Sequence, residues 1–146
     1  MVWDTSTIGF SDLLKLFWEC HNPTQGDRQG NDCGSQYRST IYANDSALIE
    51  LASASAKAYQ ELLSAAGFAA ITTEIRQGVP FFAAESYHQQ YLAKPGSRPY
   101  CSAMPTKVAL GRFEGCTYQL PSQVWTNYDW SVSHCVLRGE NAPIAI

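Results

Sequence analysis

The chain has 146 residues, of which 45% are hydrophobic and 16% charged, with a formal net charge of -3. That length suits one domain with a single core, and the composition excludes disorder as the default state. Ten Lys and Arg set against thirteen Asp and Glu supply no basic surface for a phosphate backbone or an anionic membrane, and no apolar run approaches the length of a membrane span. Cys20, Cys33, Cys101, Cys116 and Cys135 form no CxxC pair and no regular spacing, so neither a disulfide framework nor a zinc site is expected. With no basic n-region or apolar h-region at the start, a cytoplasmic compartment is the simplest assignment. An organelle becomes the alternative if a targeting peptide is missing.

Taken in chain order, Val2 and Trp3 read as the tail of a strand. Phe10, Leu13, Leu14, Phe17 and Trp18 then fall at i, i+3, i+4, i+7 and i+8, which predicts a helix with one broad apolar stripe. Asp12 sits in its first turn, where a carboxylate suits the helix dipole. The helix ends near His21, because Pro23 disfavours a helical residue before it.

From Glu19 to Tyr42 the chain changes character. Gly26, Gly30, Gly34 and Pro23 punctuate a run of amides, acids and arginines with almost no aliphatic residue, which is turn chemistry and predicts a functional loop. Arg28 and Arg38 are expected to hold it by pairing with Asp27 or Asp32. A strand over 38–43 leads back to the core. A long helix follows, capped by Asn44 or Asp45, with Leu48, Leu51, Ala52, Tyr59, Leu62, Leu63 and Ala66 on its apolar face and Gly67 as its stop.

A second strand is read over 68–76 and a third, short helix over 84–92. In that helix Tyr87 and Tyr91, at i and i+4, are expected in the core, while Glu85 is a surface charge. Beyond Cys101 the chain is rich in Pro, Gly and large aromatics, including Trp125, Tyr128 and Trp130. It is expected to wrap over the main body as an ordered, irregular extension, residues 105–146 on a domain of residues 1–104.

Several motifs in fixed order carry a resemblance. Phe17-Trp18-Glu19-Cys20-His21-Asn22-Pro23-Thr24-Gln25, Arg28-Gln29-Gly30-Asn31-Asp32, Gln36-Tyr37-Arg38-Ser39 and Tyr87-His88-Gln89-Gln90-Tyr91-Leu92 together resemble the A-type peptide methionine sulfoxide reductases. The strand Ile71-Thr72-Thr73-Glu74-Ile75 and the pair Tyr100-Cys101 extend the match from residue 2 to about residue 101.

The resemblance implies an α/β (α+β) two-layer sandwich that reduces the S-epimer of methionine sulfoxide, in oxidised proteins or as the free amino acid. In that family a cysteine thiolate attacks the sulfoxide sulfur and becomes a sulfenic acid. A second cysteine clears it as a disulfide, which thioredoxin or another dithiol reduces, with no bound cofactor. A carboxyl group and phenol hydroxyls surround the sulfoxide oxygen. By this resemblance Asp32 and Tyr37 bind the substrate and Cys101 is the resolving cysteine. His21 and His88, which lack a third ligand at any metal spacing, support loop and helix packing.

The Gly-Cys-Phe-Trp-Gly element that carries the family's nucleophile does not occur here, nor do its Gly-Tyr and His-Ala-Glu segments. The chain matches the family from the strand and Asp-Pro-type turn that follow them, which reads as an N-terminally truncated form with about half of an active site. An inactive chain is therefore expected, with apolar surface exposed around Val2, Trp3 and the long helix and with a partner supplying the missing half. The alternatives are a non-catalytic remnant that binds sulfoxide peptides, or the fragment of an incomplete gene model. Gly115-Cys116-Thr117-Tyr118 imitates the nucleophile element without its ring residues or following glycine. Cys20 and Cys33 flank the polar loop; Cys33, next to Asp32, is the better candidate thiol of the two, but the neighbouring carboxylate disfavours its thiolate and both read as fillers. Cys135 beside His134 is a further candidate recycling thiol.

Overall fold

The computed structural model describes residues 1–89, 91, 94–96 and 103–127. Helix α1 runs over Phe10–Glu19 and helix α2 over Ser46–Ala65. Between them lie a two-residue-per-strand hairpin, β1 (Arg28–Gln29) and β2 (Asp32–Cys33), a 3₁₀ turn over Ser35–Tyr37, and strand β3 (Thr40–Ala43). Strand β4 (Glu74–Gln77) follows α2, and a short helix α3 (Ser122–Asn127) closes the described chain.

Strands β3 and β4 pair in parallel, Ile41 against Ile75, and α2 is the crossover between them. The arrangement is a mixed α/β one, with α2 packed on the sheet and against α1. Asp45 caps α2 by accepting the Ala47 N–H. Gly67, at φ +82°, ends it and lets the Phe68 N–H return to the Leu63 carbonyl, a left-handed stop that costs a glycine little.

The core is Leu14 and Trp18 from α1, Ala52, Tyr59 and Leu63 from α2, and Leu110 and Phe113 from the later segment. Two buried polar links fix it. Trp18 Nε1 donates to Ser55 Oγ at 2.8 Å, and the Tyr59 hydroxyl donates to the Val108 carbonyl at 2.9 Å. Burial pushes the Tyr59 phenol up to about 12, so it remains a donor at every physiological pH.

Residues 106–120 cross the polar side of α1, and here the structure corrects a sequence expectation. Asp12 does more than meet the helix dipole: fully buried, it accepts the N–H groups of Gly9, Gln119 and Leu120. Ser11 Oγ accepts the Thr117 N–H at 3.0 Å. Lys15 Nζ donates to the Leu110 carbonyl, Glu19 accepts the Leu110 N–H, and the two side chains pair with each other at 2.5 Å. One helix thus buries an apolar stripe in the core and a polar stripe under backbone.

Other expectations fail for identifiable reasons. Val2 and Trp3 are not in a strand; no strand among the described residues pairs with them, and Trp3 instead stacks on Phe10 at 5.9 Å. Residues 68–73 stay outside the sheet because their polar groups go elsewhere: the Ile71 N–H to Gln60 Oε1, the Thr72 N–H to the Pro23 carbonyl. Over 84–92 the described residues make turns, with Tyr91 in a 3₁₀ turn, and not the expected α-helix. Tyr87 and Tyr91 are 63% and 48% exposed instead of in the core, and a short helix without a buried face has little to hold it. Leu62, at 39% exposed, also lies off the buried face of α2.

Candidate functional site

The polar loop is built on a hairpin too short to show any periodicity. Gly30 takes the first central position at φ +59° with Asn31 after it, the glycine-first arrangement that two-residue hairpins favour. Gln25 Oε1 accepts the Gly30 N–H at 2.7 Å, and Arg28 Nε donates to the Gly30 carbonyl at 2.6 Å. Arg28 therefore braces its own turn, and Arg38 reaches Glu74 at 3.3 Å instead of an aspartate of the loop.

Asp32 and Tyr37 stand at either end of one tight run. The Gly34 N–H bonds the Asp27 carbonyl at 2.9 Å, and the Tyr37 N–H bonds the Gly34 carbonyl at 3.0 Å, so β2 turns directly into the 3₁₀ turn. Gly34 lies at φ +132°, and a Cβ there would run into the Gln36 side-chain amide; this bend demands glycine. Asp32 is half-buried and Tyr37 is 42% exposed, both on a braced loop.

The loop is anchored below by His21. Its Nδ1 lies 2.6 Å from the Phe17 carbonyl, which can only accept, so Nδ1 carries the proton and Nε2 accepts from Ser39 Oγ at 2.7 Å. Ser39 Oγ then accepts from Thr73 Oγ1 at 2.8 Å, which ties α1, the loop and the segment before β4 together. Burial lowers the His21 pKa, against a smaller upward pull from the Phe17 carbonyl. The consequence has a sign. Above about pH 6.5 the imidazole is neutral both folded and unfolded; as the pH falls below that, the unfolded chain takes up the proton first and stability drops until the lowered folded value is passed. Melting temperatures measured from pH 7.5 down to 5.5 should therefore fall for the natural chain and fall less for His21→Gln.

The described thiols do not converge on Asp32 and Tyr37. Cys33 is exposed, but neighbouring strand residues point to opposite faces, which directs it away from Asp32. Cys20 Sγ lies 3.4 Å from the Phe17 carbonyl. Cys116 Sγ accepts the Phe113 N–H at 3.3 Å and packs against the core, in a stretch that forms no strand. Cys101, Cys135, His134, Tyr128 and Trp130 lie outside the described residues. His88 is exposed and 3.2 Å from Glu85. Among the described residues no three His, Cys, Asp or Glu side chains gather as metal ligands, and no helix is long and apolar enough to cross a membrane.

Sequence reasoning missed a second feature beside this loop. An open groove of about 500 Å³ lies along β3, lined by residues 40–44 on one side and by Phe10, Leu13 and Phe17 of α1 on another.

The solved structure of methionine sulfoxide reductase A of Corynebacterium diphtheriae superimposes on this fold with a TM-score of 0.63 and 39% identity, over 75% of this chain and 55% of that one. The pattern of the family described as peptide methionine sulfoxide reductase matches residues 1–114, and the chain belongs to that family. Peptide methionine sulfoxide reductase MsrA 2 of a Nostoc species is 54% identical over 116 residues, 78% of this chain and 52% of that protein. The mitochondrial peptide methionine sulfoxide reductase of Rattus norvegicus is 50% identical over 109 residues, 75% of this chain and 46% of the relative. The chain thus spans about half the length of the curated relatives it matches.

Proposed function

We propose that this chain supplies the sulfoxide-binding part of a peptide-methionine (S)-S-oxide reductase and is inactive on its own. The observation that carries the reading is the braced run from Asp32 to Tyr37: a half-buried carboxyl and an exposed phenol set on one bend that only glycine at position 34 permits. Two such groups suit a sulfoxide oxygen, which accepts hydrogen bonds and gains protons as the S–O bond breaks.

The reaction balances as follows. A thiolate attacks the sulfoxide sulfur, the oxygen is protonated and transferred to the attacking sulfur, and methionine leaves with a sulfenic acid on the enzyme. A second thiol, for which Cys101 is our candidate, displaces water to give a disulfide, and thioredoxin or a small dithiol supplies two electrons and two protons to reopen it. The family's Gly-Cys-Phe-Trp-Gly element does not occur in this sequence, so the first step requires a nucleophile from elsewhere. The substrates are oxidised proteins or free methionine sulfoxide in a cytoplasmic-type reducing compartment. A purely binding role for sulfoxide peptides is the second reading, favoured by the placement of Cys33 and Cys116.

Calorimetric titration of the full chain with a methionine-(S)-sulfoxide peptide tests the site. Loss of a hydrogen bond from position 32 or from the Tyr37 hydroxyl, about 1.5 kcal/mol, should weaken binding roughly tenfold in Asp32→Ala and in Tyr37→Phe. Equal affinity for the sulfoxide peptide and its reduced form would overturn the assignment. Dithiothreitol-driven turnover by the chain alone, abolished by Cys33→Ser or Cys116→Ser, would overturn the inactivity.

A further inference from the structure

In the parallel register of β3 and β4, Thr40 stands beside Glu74 and Tyr42 beside Arg76, with Ile41 and Ile75 between them. Alternate strand residues share a face, so Ile41 and Ile75 pack against the core while Tyr42, Glu74 and Arg76 are set on the opposite face. There the Tyr42 hydroxyl donates to Glu74 Oε2 at 2.5 Å, and Arg76 Nη1 donates to Glu74 Oε1 at 3.0 Å. The bond from Tyr42, and after it that from Arg76, brings the Glu74 carboxyl down to about 2, so it is an anion at every physiological pH.

Arg38 follows the 3₁₀ turn directly and joins this cluster to the loop. Its three side-chain nitrogens each have a separate acceptor: Nε reaches Glu74 Oε2 at 3.3 Å, Nη2 the Tyr42 hydroxyl at 3.1 Å, and Nη1 the Ser35 carbonyl at 2.6 Å. The Ser35 carbonyl also accepts the Arg38 N–H at 3.3 Å, the bond that closes the turn around Tyr37. A planar guanidinium with its donors in a fixed fork can serve three acceptors in set directions, which a single ammonium cannot. The turn is thereby fastened to the sheet on one side of Tyr37, as the Gly34 bend fastens it on the other.

Stability is not what this cluster supplies. The Arg38 and Glu74 side chains are 40% and 31% exposed, and ion pairs so open to water contribute little. Geometry is what it supplies. None of Ser35, Gln36 and Tyr37 is buried, so packing does not hold the turn, and a hydrogen bond to a substrate oxygen weakens steeply once its donor is misplaced.

We infer that Arg38, seated on Tyr42 and Glu74, is a positioning residue for the Tyr37 phenol, setting the 3₁₀ turn so that the hydroxyl donates to the sulfoxide oxygen. Arg38 does not touch the substrate and acts through Tyr37 alone. The inference rests on the proposed function for the role of that phenol.

The test uses the full 146-residue chain, with amide exchange followed by NMR and calorimetric titration against a methionine-(S)-sulfoxide peptide and its reduced form. In Arg38→Ala, exchange at the Tyr37 and Arg38 amides should speed up about tenfold, with the amides of α2 unchanged. Affinity for the sulfoxide peptide should fall about fivefold, while that for the reduced peptide stays the same. In a Tyr37→Phe background the same substitution should weaken sulfoxide binding by no more than about twofold further, short of the product of the two single effects. Arg38→Lys keeps the charge beside Glu74 but not the fork and should follow Arg38→Ala in both readouts; it decides alone if thermal melts show Arg38→Ala unfolded. Unchanged exchange in the turn, unchanged sulfoxide affinity, an equal loss for the reduced peptide, or independent effects of positions 37 and 38 would each overturn the inference. Faster exchange in the turn of Arg38→Ala, beside a natural chain that binds sulfoxide and reduced peptide equally, would sink the proposed function while upholding Arg38 as the residue that places Tyr37.

Discussion

Glu19→Ala is expected to destabilise the chain by about 3 kcal/mol, near the lower end for breaking a buried ion pair. Glu19 lies near the C-terminal end of α1 with only 10% of its side chain exposed, matched by 10% for Lys15 one turn earlier. Removing the carboxylate leaves the Lys15 ammonium under the 106–120 segment without its counter-charge, held by the Leu110 carbonyl and the Trp125 ring, and leaves the Leu110 N–H without its acceptor. Both effects act in the same direction, since an uncompensated buried charge and an unpaired buried N–H each cost free energy. In a chain of this size the loss corresponds to roughly 10 °C in melting temperature. Glu19→Gln retains an acceptor for Leu110 and should cost about half as much. In the double variant Lys15→Met with Glu19→Gln the costs should fall short of additivity by about 1 kcal/mol, the sign of direct coupling. Thermal and urea melts of the natural chain, Glu19→Ala, Glu19→Gln, Lys15→Met and the double variant check the series; a wild-type-like Glu19→Ala melt would mean that the 106–120 segment is not held this way in solution.

The elements with a strong apolar period were legible in the sequence. The stripe from Phe10 to Trp18 is a helix, the run from Asp45 to Gly67 is a capped helix, and the β-favouring residues before Ala43 are a strand. What the period could not show is where a polar stripe goes. Ser11, Asp12, Lys15 and Glu19 have the spacing of a solvated face, yet they are buried because their partners are the backbone of residues 110–120, and backbone carries no side-chain signature. The short helix over 84–92 failed the other way: its spacing was helical, but its Tyr87 and Tyr91 are 63% and 48% exposed instead of packed. Asp32 and Tyr37 were legible only through motif resemblance, because a two-residue strand and a single 3₁₀ turn contain no periodicity to read. Exposed apolar surface was anticipated around Val2, Trp3 and the long helix: Val2 is exposed, and Trp3 and Leu48 of α2 line the open groove, but α1 and β3 supply most of its wall while Ala52, Tyr59 and Leu63 of α2 are fully buried.

Asp12→Ala should be as costly as Glu19→Ala, about 3 kcal/mol, for a different reason. Its two carboxylate oxygens satisfy three backbone donors from separate places: Oδ2 takes Gly9 at 3.0 Å and Gln119 at 2.9 Å, and Oδ1 takes Leu120 at 3.3 Å. Each donor left without an acceptor away from water costs about 1 kcal/mol or more. Asparagine cannot restore the set. If its oxygen faces Gly9 and Gln119, its NH₂ faces the Leu120 N–H, donor against donor, so Asp12→Asn should recover only part of the loss. Ser11→Ala removes a single acceptor, that of Thr117, and should cost about 1 kcal/mol. Location separates this from general weakening. Because Gln119 and Leu120 lead into α3, where Val124 is buried and Trp125 lies beneath the Lys15 ammonium at 5.4 Å, amide exchange in Asp12→Ala should speed up first at residues 117–125. The amides of α2, held by Tyr59, Leu63 and the Trp18–Ser55 bond, should follow only with global unfolding. Equal acceleration in both regions would show that the segment and the core unfold as one unit, and that α1's polar stripe does not act as a separate clamp.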